Sequence, residues 1–141
     1  MSKFQLEKLI EVKERQLDDK KKEMQTVVAE MDKISNDINL MDENINSNYD
    51  KIGATTLNSN DFYVLKEHTV YLEKKKIQLI EKKESLTTLL DTLRSELFEL
   101  AKEVKMLEIL KSKALKIVKK SENRREQKKL DELALRISER E

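Results

Sequence analysis

Ile52-Gly53-Ala54-Thr55-Thr56-Leu57-Asn58-Ser59-Asn60-Asp61 is the one interruption in a sequence otherwise patterned as helix. Gly53 is the only glycine, and the chain has no proline. A glycine here fits the left-handed residue that commonly ends a helix. Asn58, with Asp61 three residues on, has the form of an N-cap followed by a carboxylate near the helix start. The expectation is an all-α chain: a first helix over about 3–52, a short turn, and a second helix from about 58 to about 136.

Upstream of the break, Ile10, Leu17, Met24, Met31, Ile38, Ile45 and Ile52 lie seven apart. Their complements are Leu6, Lys13, Lys20, Val27, Ile34, Met41 and Asn48. Together they form an a/d seam with a mean spacing of about 3.5 residues, the repeat of a coiled coil. An isolated surface helix would drift by about 20° per heptad from such a seam, so a sustained one implies a partner helix. Downstream, Leu65, Leu72, Leu79, Leu86, Leu93, Leu100 and Leu107 form a second seam. Its complements are Phe62, Thr69, Lys76, Lys83, Leu90, Leu97 and Val104. A short connection makes the two helices antiparallel neighbours.

Two registers satisfy both seams. If facing positions sum to 110, Ile45 meets Leu65, Ile38 meets Leu72, Met31 meets Leu79 and Leu6 meets Val104. Each core lysine (Lys13, Lys20, Lys76, Lys83) then faces an apolar residue and can lay its stem along the seam with the ammonium in water. A sum of 117 is equally free of clashes and is expected to need a longer loop, so 110 is the expected register. Met24, Met31 and Met41 read as core filling. The same seams could also zip between two chains in place of one.

At about 1.5 Å per residue the second helix is nearly 120 Å long against about 75 Å for the first. The expected organisation is one coiled-coil domain over 1–141, with residues 3–107 paired, 108–136 an unpaired helical overhang and 137–141 a frayed tail. Residues 109–130 carry Lys111, Lys113, Lys116, Lys119, Lys120, Arg124, Arg125, Lys128 and Lys129 against only Glu122 and Glu126. The overhang also has apolar residues: Leu110, Ala114, Leu115, Ile117 and Val118, then Leu130, Leu133, Leu135 and Ile137. The ordinary reading of such a run is a solvated basic face. An acidic protein surface or anionic lipid is the functional alternative. Nucleic acid is not expected, because the segment has no aromatic residue to stack on bases.

The remaining composition narrows the function further. The chain has 141 residues, is 40% charged and 4% aromatic, and carries a net charge of +1. Near-neutral balance gives no general attraction to polyanions. The periodic apolar pattern argues against disorder. There is no cysteine, so neither a disulfide framework nor a thiolate site is available. No stretch has the roughly 18 apolar residues of a membrane span, and the N-terminal MSKFQLEKLIEVKER lacks a signal-peptide core. A soluble chain with at most peripheral membrane association is expected. His68 is the only histidine, which leaves no transition-metal set, and it reads as a solvated surface residue. Carboxylates on a coiled coil lack an enclosed cavity to tune them for acid–base work. No catalytic residue, metal or cofactor is assigned.

The C-terminal run Ser121-Glu122-Asn123-Arg124-Arg125-Glu126-Gln127-Lys128-Lys129-Leu130-Asp131-Glu132-Leu133-Ala134-Leu135-Arg136 resembles the terminal signature of the FliJ family. The family ends typically read like E-N-R-x-[DE]-Q-K-x-x-D-E-x-A-x-R. Phe4-Gln5-Leu6-Glu7-Lys8-Leu9 and Val12-Lys13-Glu14-Arg15-Gln16 are also similar to the family's N-terminus. The resemblance covers the whole chain. It implies a component of the bacterial flagellar type III export apparatus, in flagellum biogenesis and chemotaxis, shaped like the central stalk of rotary ATPases. The implied partners are the hexameric flagellar export ATPase, the cytoplasmic domain of the membrane export gate and export chaperones. The implied location is the cytoplasmic face of the bacterial inner membrane. By the same resemblance, Arg124, Arg125, Gln127, Lys128, Leu130 and Leu133 would contact the ATPase ring, and Tyr49 and Leu72 the gate or chaperones. The competing expectations are the homologous stalk of a virulence injectisome, and a structural or nucleic-acid-binding coiled-coil rod.

Overall fold

The computed structural model describes residues 2–54 and 57–140. Helix α1 spans Lys3–Ala54 and helix α2 spans Ser59–Arg140. The two pack against each other as a hairpin, with no strand among the described residues. Thr55 and Thr56, at the expected turn, and Glu141, at the end of the expected tail, fall outside the described residues.

The helix starts follow local chemistry. At α1, the Ser2 hydroxyl accepts a hydrogen bond from the Gln5 backbone N–H at 3.2 Å, and Gln5 Oε1 accepts one from the Ser2 N–H at 3.0 Å. This is a capping box, with two otherwise orphaned donors satisfied reciprocally. At α2, Asn58 Oδ1 accepts from the Asp61 N–H at 2.8 Å, which is the expected N-cap. The C-terminal expectation for α1 is corrected. Gly53 lies inside the helix, which runs on to Ala54, and its φ is not positive. The dihedral freedom of Gly53 is therefore unused, and α1 ends without a left-handed glycine. Helix α2 runs to Arg140, four residues past its expected end, with no glycine or proline to stop it.

The contacts fall into two compact units, residues 19–97 and residues 1–18 with 98–141. In the first, Val27, Leu90 and Leu93 form a buried cluster, and Met24, Met31 and Leu86 pack on it. The methionines at 24 and 31 thus fill core, as expected. Ile34, Ile45 and Leu72 continue the buried seam, and Asn48 and Thr69 are its buried polar pair. In the second unit Leu6, Ile10 and Val104 are buried.

The register is the longer one. Lys13 pairs with Glu103 and Lys20 with Glu96, each summing to 116. Asn48 meets Thr69, summing to 117, while Lys76–Asp42 and Lys111–Glu7 sum to 118. The expected sum of 110 is therefore wrong by one heptad. The physical reason is polar matching. At 110, Asn48 would face Phe62 and bury its amide without a partner, at a cost of about 1–3 kcal/mol, while Thr69 would face Met41. At 117 the Asn48 amide donates to Thr69 Oγ1 at 3.2 Å, and the Thr69 hydroxyl donates to the Leu65 carbonyl at 2.8 Å. The longer register also sets each of Lys13, Lys20 and Lys76 opposite an apolar residue that has an acid beside it in sequence: Val104 with Glu103, Leu97 with Glu96, Met41 with Asp42. No long loop is needed, because the first residues of α2 stand helically beyond Ala54.

This shift moves the boundary of the overhang. Lys111 is half-buried against Glu7, and Ala114 is half-buried as well. Pairing therefore reaches residue 114, not 107. Residues 115–140 are helical and exposed at every position. They form an uncovered helix about 39 Å long.

Candidate partner-binding surface

The expected ATPase-contact residues all lie on the uncovered part of α2. Arg124, Arg125, Gln127, Lys128, Leu130 and Leu133 are each exposed. Only local bonds order them: the Gln127 amide donates to Asp131 Oδ1 at 3.1 Å, one turn on. Their disposition follows from helix geometry, with successive residues turned by about 100°. Arg124, Arg125 and Lys128 fall on one side. Leu130 and Leu133 fall on the opposite side, joined there by Ile137. The six residues therefore encircle the helix and do not share one face. Leu130 is 60% and Leu133 52% exposed, so this apolar side has no cover among the described residues.

The second expected contact pair is split by the structure. Tyr49 is exposed, and its hydroxyl donates to Glu73 Oε1 at 2.8 Å. That hydrogen bond, the carboxylate's charge and slight burial hold the phenol above the usual tyrosine value. Leu72 is placed differently. It is buried in the seam with Ile45, so a closed hairpin offers none of it to a partner. His68 is exposed but not simply solvated, since its Nδ1 accepts a hydrogen bond from the Asn48 amide at 2.9 Å.

The sequence reading missed a surface near the start of α2. Phe62, Tyr63, Val70 and Tyr71, with Lys66, Glu67 and Lys74, line an open groove. All four apolar residues are exposed. The signal was available: four of the six aromatic residues fall between 49 and 71, and Tyr63, Val70 and Tyr71 occupy positions that the seam does not use. Also missed was the Ser2–Gln5 capping box, legible as Ser-x-x-Gln.

Among the described residues, no group of three or more His, Cys, Asp or Glu side chains is arranged to hold a metal ion. No helix there is long and apolar enough to cross a membrane.

No curated protein and no solved structure matches the chain. The family model described as Flagellar FliJ protein matches residues 2–141. The two-helix fold and a match of that extent lead to one conclusion: the chain belongs to the FliJ family and is a component of the flagellar export apparatus.

Proposed function

We propose that this protein is the central stalk of the flagellar export ATPase ring, coupling that ring to the membrane export gate and escorting export chaperones. The supporting observation is the uncovered helix over residues 115–140, exposed at every position and carrying contact chemistry all the way round. A subunit that docks on one protein needs one face. A helix surrounded by several subunits needs a contact surface on every side, here cationic at Arg124, Arg125 and Lys128 and apolar at Leu130, Leu133 and Ile137. An isolated amphipathic helix of this length is marginal in water, so packing in a ring would stabilise it. The protein acts at the cytoplasmic face of the inner membrane, held there by protein contacts.

The gate or chaperone contact belongs with the exposed groups around Tyr49 and Tyr71, because Leu72 is inaccessible. The family match favours the flagellar apparatus over an injectisome.

The test is reconstitution. The purified chain added to the export ATPase should raise hexamer formation and ATP turnover. The triple reversal Arg124→Glu, Arg125→Glu and Lys128→Glu should abolish both gains and leave the helical content unchanged. If the wild-type chain has no effect on turnover, the proposal fails.

A further inference from the structure

A second unpartnered surface lies where α1 begins. Leu6, Leu107, Leu110, Lys113, Ala114 and Ile117 line an apolar groove there. Leu107 and Ala114 are seam positions of α2, and Leu110 and Ile117 flank them on one side. α1 begins at Lys3, so it covers the seam only to the start of this groove. Beyond it, among the described residues, the seam carries on with no helix against it. Leu110 is 51% and Ile117 69% exposed, whereas Leu6 beside them is buried.

The α2 segment that carries the groove has one sign of charge. Between residues 109 and 121 there are five lysines (Lys111, Lys113, Lys116, Lys119, Lys120) and no acidic residue. The chain already shows how this segment is engaged, because Lys111 Nζ meets Glu7 Oε1 of α1 at 3.6 Å. A glutamate on a helix alongside α2 is thus the group this face pairs with.

We propose that the groove docks an acidic amphipathic helix of a partner protein, lying alongside α2 in continuation of α1. Its apolar residues would cover Leu110, Ala114 and Ile117, and its carboxylates would meet Lys113 and Lys120. This is helix-in-groove recognition, with charge complementarity supplying orientation and speed of association. A second copy of this chain is disfavoured, because two such grooves bring like charges together. A bilayer is the other occupant that the test below distinguishes. The groove is distinct from the far apolar stripe: at about 100° per residue, Leu130, Leu133 and Ile137 point to roughly the opposite side of α2 from Leu110 and Ile117. The groove shares Ile117 with the uncovered helix of the stalk reading, but uses none of Arg124, Arg125, Lys128, Leu130 or Leu133, so substitutions separate the two.

The test uses the full chain and a synthetic fluorescein-labelled peptide of three heptads, with leucine at a and d and glutamate at the flanking positions. Fluorescence anisotropy at physiological salt should show saturable binding. The exposed double substitution Leu110→Ser and Ile117→Ser should weaken it by about tenfold or more, as should Lys113→Glu with Lys120→Glu. Leu130→Ser with Leu133→Ser should leave it unchanged. Circular dichroism should show the same helical content in all variants. The same peptide with lysine in place of glutamate should not bind. No binding of the acidic peptide, equal binding of the basic one, or indifference to the Leu110 and Ile117 substitutions would overturn the proposal. So would either of two other occupants lost in that double variant: self-association in sedimentation, or flotation with phosphatidylglycerol vesicles.

Discussion

Asn48 selects a register that the leucines permit but do not choose. Both one-heptad alternatives keep leucine against isoleucine, and only one joins Asn48 to Thr69. A polar residue in a coiled-coil seam costs stability and gains specificity. Asn48→Ala should therefore lower stability by about 1–2 kcal/mol, read from urea unfolding, because Thr69 loses its cross-helix partner. Asn48→Leu combined with Thr69→Val should leave stability nearly unchanged or raised, since both polar groups go together. It should also loosen the register. The chain has no cysteine, so nitroxide labels can be placed cleanly at Asn36, Lys74 and Glu81. In the wild type the label pair 36/81 should be closer than 36/74, and in the double variant the distance distribution should broaden. Gly53 gives a second residue-scale prediction. Its φ is not positive, and a Cβ built there meets nothing within 4 Å. Gly53→Ala should therefore raise stability by up to about 1 kcal/mol in thermal unfolding. A left-handed cap at that position would instead make alanine destabilising.

Each helix is held by a seam, and Val27, Leu90 and Leu93 form a buried cluster within it. Leu93 is only 2% exposed. Leu93→Ala should cost about 2–4 kcal/mol by chemical denaturation, from lost burial and an unfilled space between two stiff helices. The ion pairs of Lys13, Lys20 and Lys76 are partly exposed and add little individually. The elements were legible because their signals are redundant. Seven-residue spacing of Ile and Leu names the helices, and Asn58 marks the start of the second. The element ends were less legible. A lone glycine suggests a stop, but a glycine also sits in a last helical turn at modest cost, and Gly53 does so. Register was the hardest feature to read, because a heptad shift conserves every apolar pairing class. What breaks the tie is the hydrogen-bonding need of Asn48 and Thr69, which a count of apolar matches does not register.

At the scale of the whole chain, the longer register extends pairing to residue 114 and leaves 115–140 as the uncovered helix. Its existence followed from unequal helix lengths, and its chemistry from the lysine and arginine run. Helical geometry then showed that Arg124 and Leu130 point to different sides, which a linear motif does not convey. Leu72 illustrates the reverse limit: a motif position that the fold buries. The stalk reading assigns pairing to the hairpin and partner work to the uncovered helix, so the two should separate cleanly. The most direct test removes residues 121–141 and measures thermal unfolding and stimulation of the export ATPase on the same preparation. The truncated chain should keep the cooperative unfolding and midpoint of the full chain, and lose the stimulation of turnover. Retained stimulation, or collapse of the hairpin without those residues, would contradict the account.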